Sequence, residues 1–177
     1  MKKLLSKNFL NKGFSLSEAL VYVAVLAILV SGILAFALWM SNLSIKAKSM
    51  REVYNTVAKA TEVMAREIKE ADKVYAPTTT ASQLSLKTEK YLSAGEEASY
   101  IDFYICGTKL CFKKEGLAPI AITPEKVKIT NITFTKIVTG ENVSVQISIQ
   151  AEYDNPDNRS AYQAALTLVS SASLRSY

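Results

Sequence analysis

Hydrophobic and polar positions follow three different rhythms along the chain. From Phe14 to Met40 nearly every position is apolar or small, and the only charge is Glu18. At about 1.5 Å rise per residue, a helix of roughly 27 residues exceeds a hydrocarbon core of ~30 Å, so this run is long enough to span a membrane. The rhythm then changes. Met50, Val53, Val57, Ala60, Met64, Ile68 and Ala71 recur at spacings of three and four, which is one face of an amphipathic helix packing on a folded domain. Glu62 and Arg66, four apart on the polar side, are placed as an ion pair. Pro77 disfavours helical geometry in the residue before it, so the helix is expected to end between Val74 and Ala76, and Thr78-Thr79-Thr80 reads as a loop.

Beyond the loop the period becomes two. Val143, Val145, Ile147, Ile149 and Ala151 alternate with Ser144, Gln146, Ser148 and Gln150, the pattern of a half-buried strand. Looser runs of the same kind lie at Gln83–Lys87, Tyr100–Cys106, Leu110–Lys113, Val127–Lys136 and Tyr162–Val169. A long helix followed by consecutive strands predicts an α+β fold in which the helix packs on an antiparallel β-sheet domain. Four segments follow: a basic leader 1–13, an apolar helix 14–40, its amphipathic continuation 41–76, and a β-rich domain 77–177. No internal repeat interrupts this order.

Composition changes the picture chiefly through charge. The formal +5 invites a nucleic-acid reading, but Lys2, Lys3, Lys7 and Lys12 all precede Phe14. Removing those four from the 21 Lys and Arg leaves 17 against 16 Asp and Glu, a formal +1. No basic cluster with interleaved aromatics remains along the chain, so no nucleic-acid partner is expected. Histidine is absent and there are only two cysteines, so neither a catalytic site nor a cofactor or metal centre is expected.

The N-terminal run admits three readings. A secretory signal peptide has support in the basic start and the small-residue triplet Ala35-Phe36-Ala37, but the apolar run is longer than an h-region's roughly 7–15 residues. A permanent single-pass anchor on an unrelated binding or sensory domain explains the length and leaves Glu18 unexplained. The third reading starts from Lys12-Gly13-Phe14-Ser15-Leu16-Ser17-Glu18-Ala19-Leu20, which resembles the type IV prepilin signature. That resemblance implies cleavage between Gly13 and Phe14 by a prepilin peptidase on the cytoplasmic face and N-methylation of Phe14. It also implies a filament-assembly role for Phe14 and Glu18.

The chemistry agrees with that implication. An acidic side chain at the centre of a membrane helix costs ~2.5–3.5 kcal/mol on insertion scales, so Glu18 needs a reason to be there. Cleavage would create an α-amine on Phe14, cationic at neutral pH, and the i, i+4 spacing puts amine and carboxylate on one helix face. Glycine at position 13 lets a peptidase approach the backbone and poorly supports helix across the junction. The four leader lysines favour a cytoplasmic N-terminus, although Lys46, Lys48 and Arg51 beyond the span reduce the contrast.

The family resemblance implies a single-pass protein of the cytoplasmic membrane, its C-terminal domain periplasmic or extracellular, that joins other pilins through the N-terminal helix. Many major pilins carry a proline about twenty residues into the mature helix; here the region around Ala35 has none, only Gly32 earlier. Arg66-Glu67-Ile68-Lys69-Glu70-Ala71, the strand Val127 to Phe134 and Ser173-Leu174-Arg175 resemble minor pseudopilins of the type II secretion J class and related minor pilins. This implies a tip or initiation subunit of a pseudopilus or type IV pilus.

Two further constellations carry chemistry. A hairpin centred on Thr108 and Lys109 would set Cys106 and Cys111 opposite each other at a separation a disulfide tolerates; the alternative is two free thiols. Asp154-Asn155-Pro156-Asp157-Asn158 offers oxygen ligands but lacks the spacing and glycine of a calcium loop, so an Asx-type turn is expected.

Overall fold

The computed structural model describes residues 15–92 and 94–175. The leader, Gly13 and Phe14 lie outside the described residues. The chain divides into two units between Asn42 and Leu43.

A single helix, α1 (Leu16–Glu70), runs from the apolar segment into the second unit. In the first unit its apolar side chains, from Leu20 and Val21 to Trp39 and Met40, are exposed on every side. Among the described residues of this unit nothing covers these side chains, and a helix apolar all round suits a non-aqueous surrounding. It is the one helix among the described residues long and apolar enough to cross a membrane.

In the second unit α1 buries Val53, Val57, Ala60, Met64 and Ile68, with Ala71 just past its end, so the stripe of period 3.6 forms the helix side of the core. The stripe differs from expectation at its start. Met50 is exposed, and Ser49 takes the buried place, donating its hydroxyl to Ile45 O at 3.1 Å. Stepping back four residues from Val53 rather than three keeps the buried line straight on an α-helix, and the back-bonded hydroxyl removes the polar penalty. Glu62 and Arg66 do not form the expected ion pair: the pairs among the described residues lie elsewhere. Exposed i, i+4 pairs gain only tenths of a kcal/mol, about what holding two long side chains costs.

α1 also ends earlier than expected, at Glu70 rather than between Val74 and Ala76. Its last turn tightens, with Ala71 N–H donating to Ile68 O at 3.3 Å. The next backbone donors then turn to the sheet, Asp72 N–H to Lys87 O and Tyr75 N–H to Ser85 O, both at 2.9 Å. This makes Lys73–Val74 a short strand, β1. Pro77 sits instead in the turn that follows, closed by Thr79, whose hydroxyl donates to Tyr75 O at 2.9 Å and accepts Ser85 N–H at 3.1 Å.

The β region forms two antiparallel sheets rather than one. The first has the order β1, β2 (Gln83–Thr88), β3 (Ser99–Cys106), β4 (Lys109–Lys114) and β5 (Ile120–Ala121). The second has β6 (Val127–Thr139), β7 (Asn142–Tyr153) and β8 (Ala165–Ser173), with β7 in the middle. The last strand starts at Ala165, because Ser160–Tyr162 closes a 3-10 turn where strand was expected from Tyr162. Inward residues of both sheets meet the helix stripe in one core that includes Leu84, Leu86, Ile101, Phe103, Ile132, Ile147 and Ile149. Phe103 stacks on Phe112 at 5.0 Å between ring centroids. The sheets are joined where Ile129 N–H donates to Thr108 O and Phe134 N–H to Ala81 O, each at 2.8 Å.

Candidate functional site

The start of α1 is built by Ser15. Its hydroxyl accepts Glu18 N–H at 3.3 Å and its carbonyl accepts Ala19 N–H at 3.1 Å, so Ser15 caps a helix that begins at Leu16. Ser15-Leu16-Ser17-Glu18 is therefore the S-x-x-E signature of a helix start, a signal the reading of this stretch for cleavage passed over. Glu18 falls in the first turn, where the unpaired N–H groups favour negative charge. It also accepts Tyr22 OH at 3.4 Å, one turn on. No cation reaches Glu18 among the described residues. What the arrangement offers chemically is an exposed carboxylate, held by its helix turn, in otherwise apolar surroundings.

A second carboxylate of the same helix is treated in the opposite way. Glu67 is 4% exposed and accepts Lys90 Nζ at 3.0 Å and Tyr91 OH at 3.1 Å. Lys90 also pairs with Glu70, and Lys114 Nζ lies 3.8 Å over the Tyr91 ring. The hydrogen bond from Lys90 holds the Glu70 carboxyl below the ordinary carboxylate value. Glu70 and then Glu67 push the Lys90 ammonium up. Burial, then the charge of Glu67, pushes the Tyr91 phenol up. Each charge here is met inside the chain, which makes the cluster a clamp between α1 and the segment after β2 rather than a reactive site. Sequence reasoning missed it because its acids and their partners lie twenty or more positions apart.

Cys106 and Cys111 are joined by a disulfide, with 5.8 Å between their Cα atoms. The hairpin is centred one residue earlier than expected, on Gly107 and Thr108, so Cys106 pairs with Lys109 and Cys111 with Tyr104. The cysteines are diagonal neighbours on one face instead of direct partners. Gly107 decides this: at φ +67 it supplies the left-handed first position of a two-residue turn, which Thr108 would take only with strain.

In the 154–158 segment, Asn155 Oδ1 accepts Arg159 N–H at 3.0 Å and its amide donates to Arg159 O at 2.9 Å, while Lys128 pairs with Asp154 at 2.7 Å. The oxygens are thus spent on a local turn and a lysine. Among the described residues no group of three or more His, Cys, Asp or Glu is placed to hold a metal ion.

Compared with known protein families, residues 9–34 match the family model described as the prokaryotic N-terminal methylation motif. The matched stretch includes Gly13, Phe14 and Glu18 and supports a prepilin-type N-terminus, while the domain beyond it is outside the match. Neither the curated proteins nor the solved structures gave a match.

Proposed function

We propose that this chain is a type IV pilin-like structural subunit, without enzymatic activity, made as a precursor and built into a filament through its N-terminal helix. The observation that carries the reading is the methylation-motif match over residues 9–34, falling on a junction that is followed by an apolar helical run whose one charge is Glu18. In this reading a prepilin peptidase removes residues 1–13 and methylates Phe14. Residues 14–40 hold the subunit in the cytoplasmic membrane, N-terminus inside, with the β-rich domain on the periplasmic or extracellular side. Glu18 then meets the α-amine of a neighbouring subunit as the helix enters the filament core.

The sequence resemblances after the anchor favour a minor subunit, at the tip or initiation complex of a type II secretion pseudopilus or type IV pilus. The test is the intact mass and first residue of the natural protein. A methylated Phe14 is the expected result; a chain that keeps Met1 would make this a plain membrane-tethered domain and overturn the proposal. The assembly step has its own test. Losing one member of a buried ion pair costs ~3–5 kcal/mol, so Glu18→Ala should be processed and inserted normally yet be nearly absent from filaments. Normal incorporation of that variant would remove Glu18 from assembly.

A further inference from the structure

The two sheets leave four edges, and three of them are closed. β1 and β5 are two residues long. β6 is bulged between Ile129 and Asn131, carries Lys128 and Lys136, and gives its outward Ile129 and Phe134 amides to Thr108 and Ala81. Short strands, bulges and lysines are the usual means of blunting an edge. β8 has none of them: Ala165–Ser173 is nine residues without charge, proline or glycine.

The ladder fixes which backbone groups of β8 are open. At its two ends Tyr153 N–H donates to Ala164 O at 2.8 Å and Leu174 N–H donates to Val143 O at 2.9 Å. Groups that reach a given neighbour alternate along an antiparallel strand, so the even-numbered residues of β8 bond to β7. Ala165, Thr167, Val169, Ser171 and Ser173 therefore turn their amides and carbonyls outward. All five are exposed, and among the described residues no second strand lies on the side of β8 away from β7. On the inner face Leu166 and Leu168 are only half-buried against the core.

We propose that β8 pairs antiparallel with β8 of a second copy, centred on Val169. In that register every outward residue meets an outward residue: Val169 faces its own copy, Thr167 faces Ser171 and Ala165 faces Ser173. Each unpaired amide finds an unpaired carbonyl, two hydroxyl pairs form, and no like charges meet. The other edges are closed, so the edge a copy has to offer is this same one, and the contact is isologous. A single strand pair buries less than the ~1,200 Å² of a stable interface, so it forms between copies concentrated by a shared membrane. It uses the anchoring part of the proposed function and does not require filament assembly.

The test is oxidative cross-linking of the full-length chain in membrane vesicles. The native cysteines are bonded to each other, so Val169→Cys adds the one free thiol among the described residues, and facing Cα atoms at about 5.5 Å lie within disulfide reach. Val169→Cys should give a homodimer well above the yield of Glu141→Cys, an exposed β6–β7 turn position that reports random collision. Chains with Thr167→Cys should cross-link to chains with Ser171→Cys and neither variant to itself, which keeps the register testable should Val169→Cys fail to fold. Adding Thr167→Lys and Ser171→Lys together to Val169→Cys places like charges face to face and should lower the dimer about tenfold. The filament-defective Glu18→Ala chain should keep the cross-link, separating this contact from assembly. A Val169→Cys yield no higher than that of Glu141→Cys, a product with a different protein, or loss of the cross-link with Glu18→Ala would each overturn β8 self-pairing.

Discussion

The asymmetry of burial in the Glu67–Lys90 pair predicts which of its partners matters more. Glu67 is 4% exposed and Lys90 35%. Lys90→Ala leaves a buried carboxylate with only the Tyr91 hydroxyl and no counter-ion, a situation that costs ~3–5 kcal/mol. Glu67→Ala loses the same contact, yet the ammonium keeps Glu70 and reaches water. Its cost is then the lost charge-assisted bond and the stranded Tyr91 hydroxyl, reduced by solvent screening of Lys90, or about 1.5–3 kcal/mol. In a domain of this size the difference is roughly 3–6 °C in melting temperature.

The measurement is urea or thermal unfolding of the full chain in mild detergent, followed by the sheet signal in circular dichroism. Lys90→Ala should be the more damaging single change. Adding Glu67→Ala to Lys90→Ala should recover part of the loss, because removing the orphaned charge is favourable. If Glu67→Ala proves as costly as Lys90→Ala, or the two changes add, the clamp is not held by charge and the reasoning fails.

Two further outcomes follow from the same unit. Met64 is fully buried between helix and sheets, so Met64→Ala should cost about 2–5 kcal/mol in unfolding free energy, whereas Met50→Ala at its exposed position should stay within ~0.5 kcal/mol; equal losses would misplace the helix face. The folded-state carboxyls of Glu70 and Glu125 titrate below their ordinary values through Lys90 and Lys109, so their stabilisation is present above the ordinary carboxylate range and lost as pH falls through the folded values. Tyr91 and Lys128 titrate above theirs, through burial and through Asp154, so their share is present below the ordinary values and lost as pH rises past them. Unfolding midpoints should thus decline at both ends of the range, and a flat profile would contradict these assignments.

Elements whose side chains all answer to one solvent were legible in the sequence. β7 has a core on one face and water on the other, and the alternation from Val145 to Ala151 is present in the burial as it was in the letters. What escaped depends on partners distant in sequence. The end of α1 is decided by Lys87 and Ser85 accepting from Asp72 and Tyr75, ten or more residues ahead, and not by Pro77. The Glu67 clamp spans a similar gap. The hairpin offset is a different kind of miss: glycine's left-handed freedom at position 107 outweighed the symmetry of the two cysteines. Glu18 was found by its rarity in an apolar run, and that same rarity drew attention away from Ser15, three residues before it.

The contrast between Glu18 and Glu67, both on α1, bears on the proposed assembly through the N-terminal helix. Glu67 shows how this chain handles a buried acid: a lysine within 3.0 Å, a phenol at 3.1 Å, and a second acid sharing the lysine. Among the described residues Glu18 has no such arrangement, only a helix cap and the neutral hydroxyl of Tyr22. A neutral donor and the positive end of a helix offset about 1–2 kcal/mol of a charge's desolvation, short of what an apolar environment exacts. Among the described residues the helix around Glu18 is exposed, and in the proposed function the remaining compensation arrives on another molecule. A cation presented at the depth of Glu18 by a neighbouring helix meets that need. Under the proposed function, the free α-amine of a cleaved chain would supply one at a fixed distance along each subunit and would set register as well as affinity.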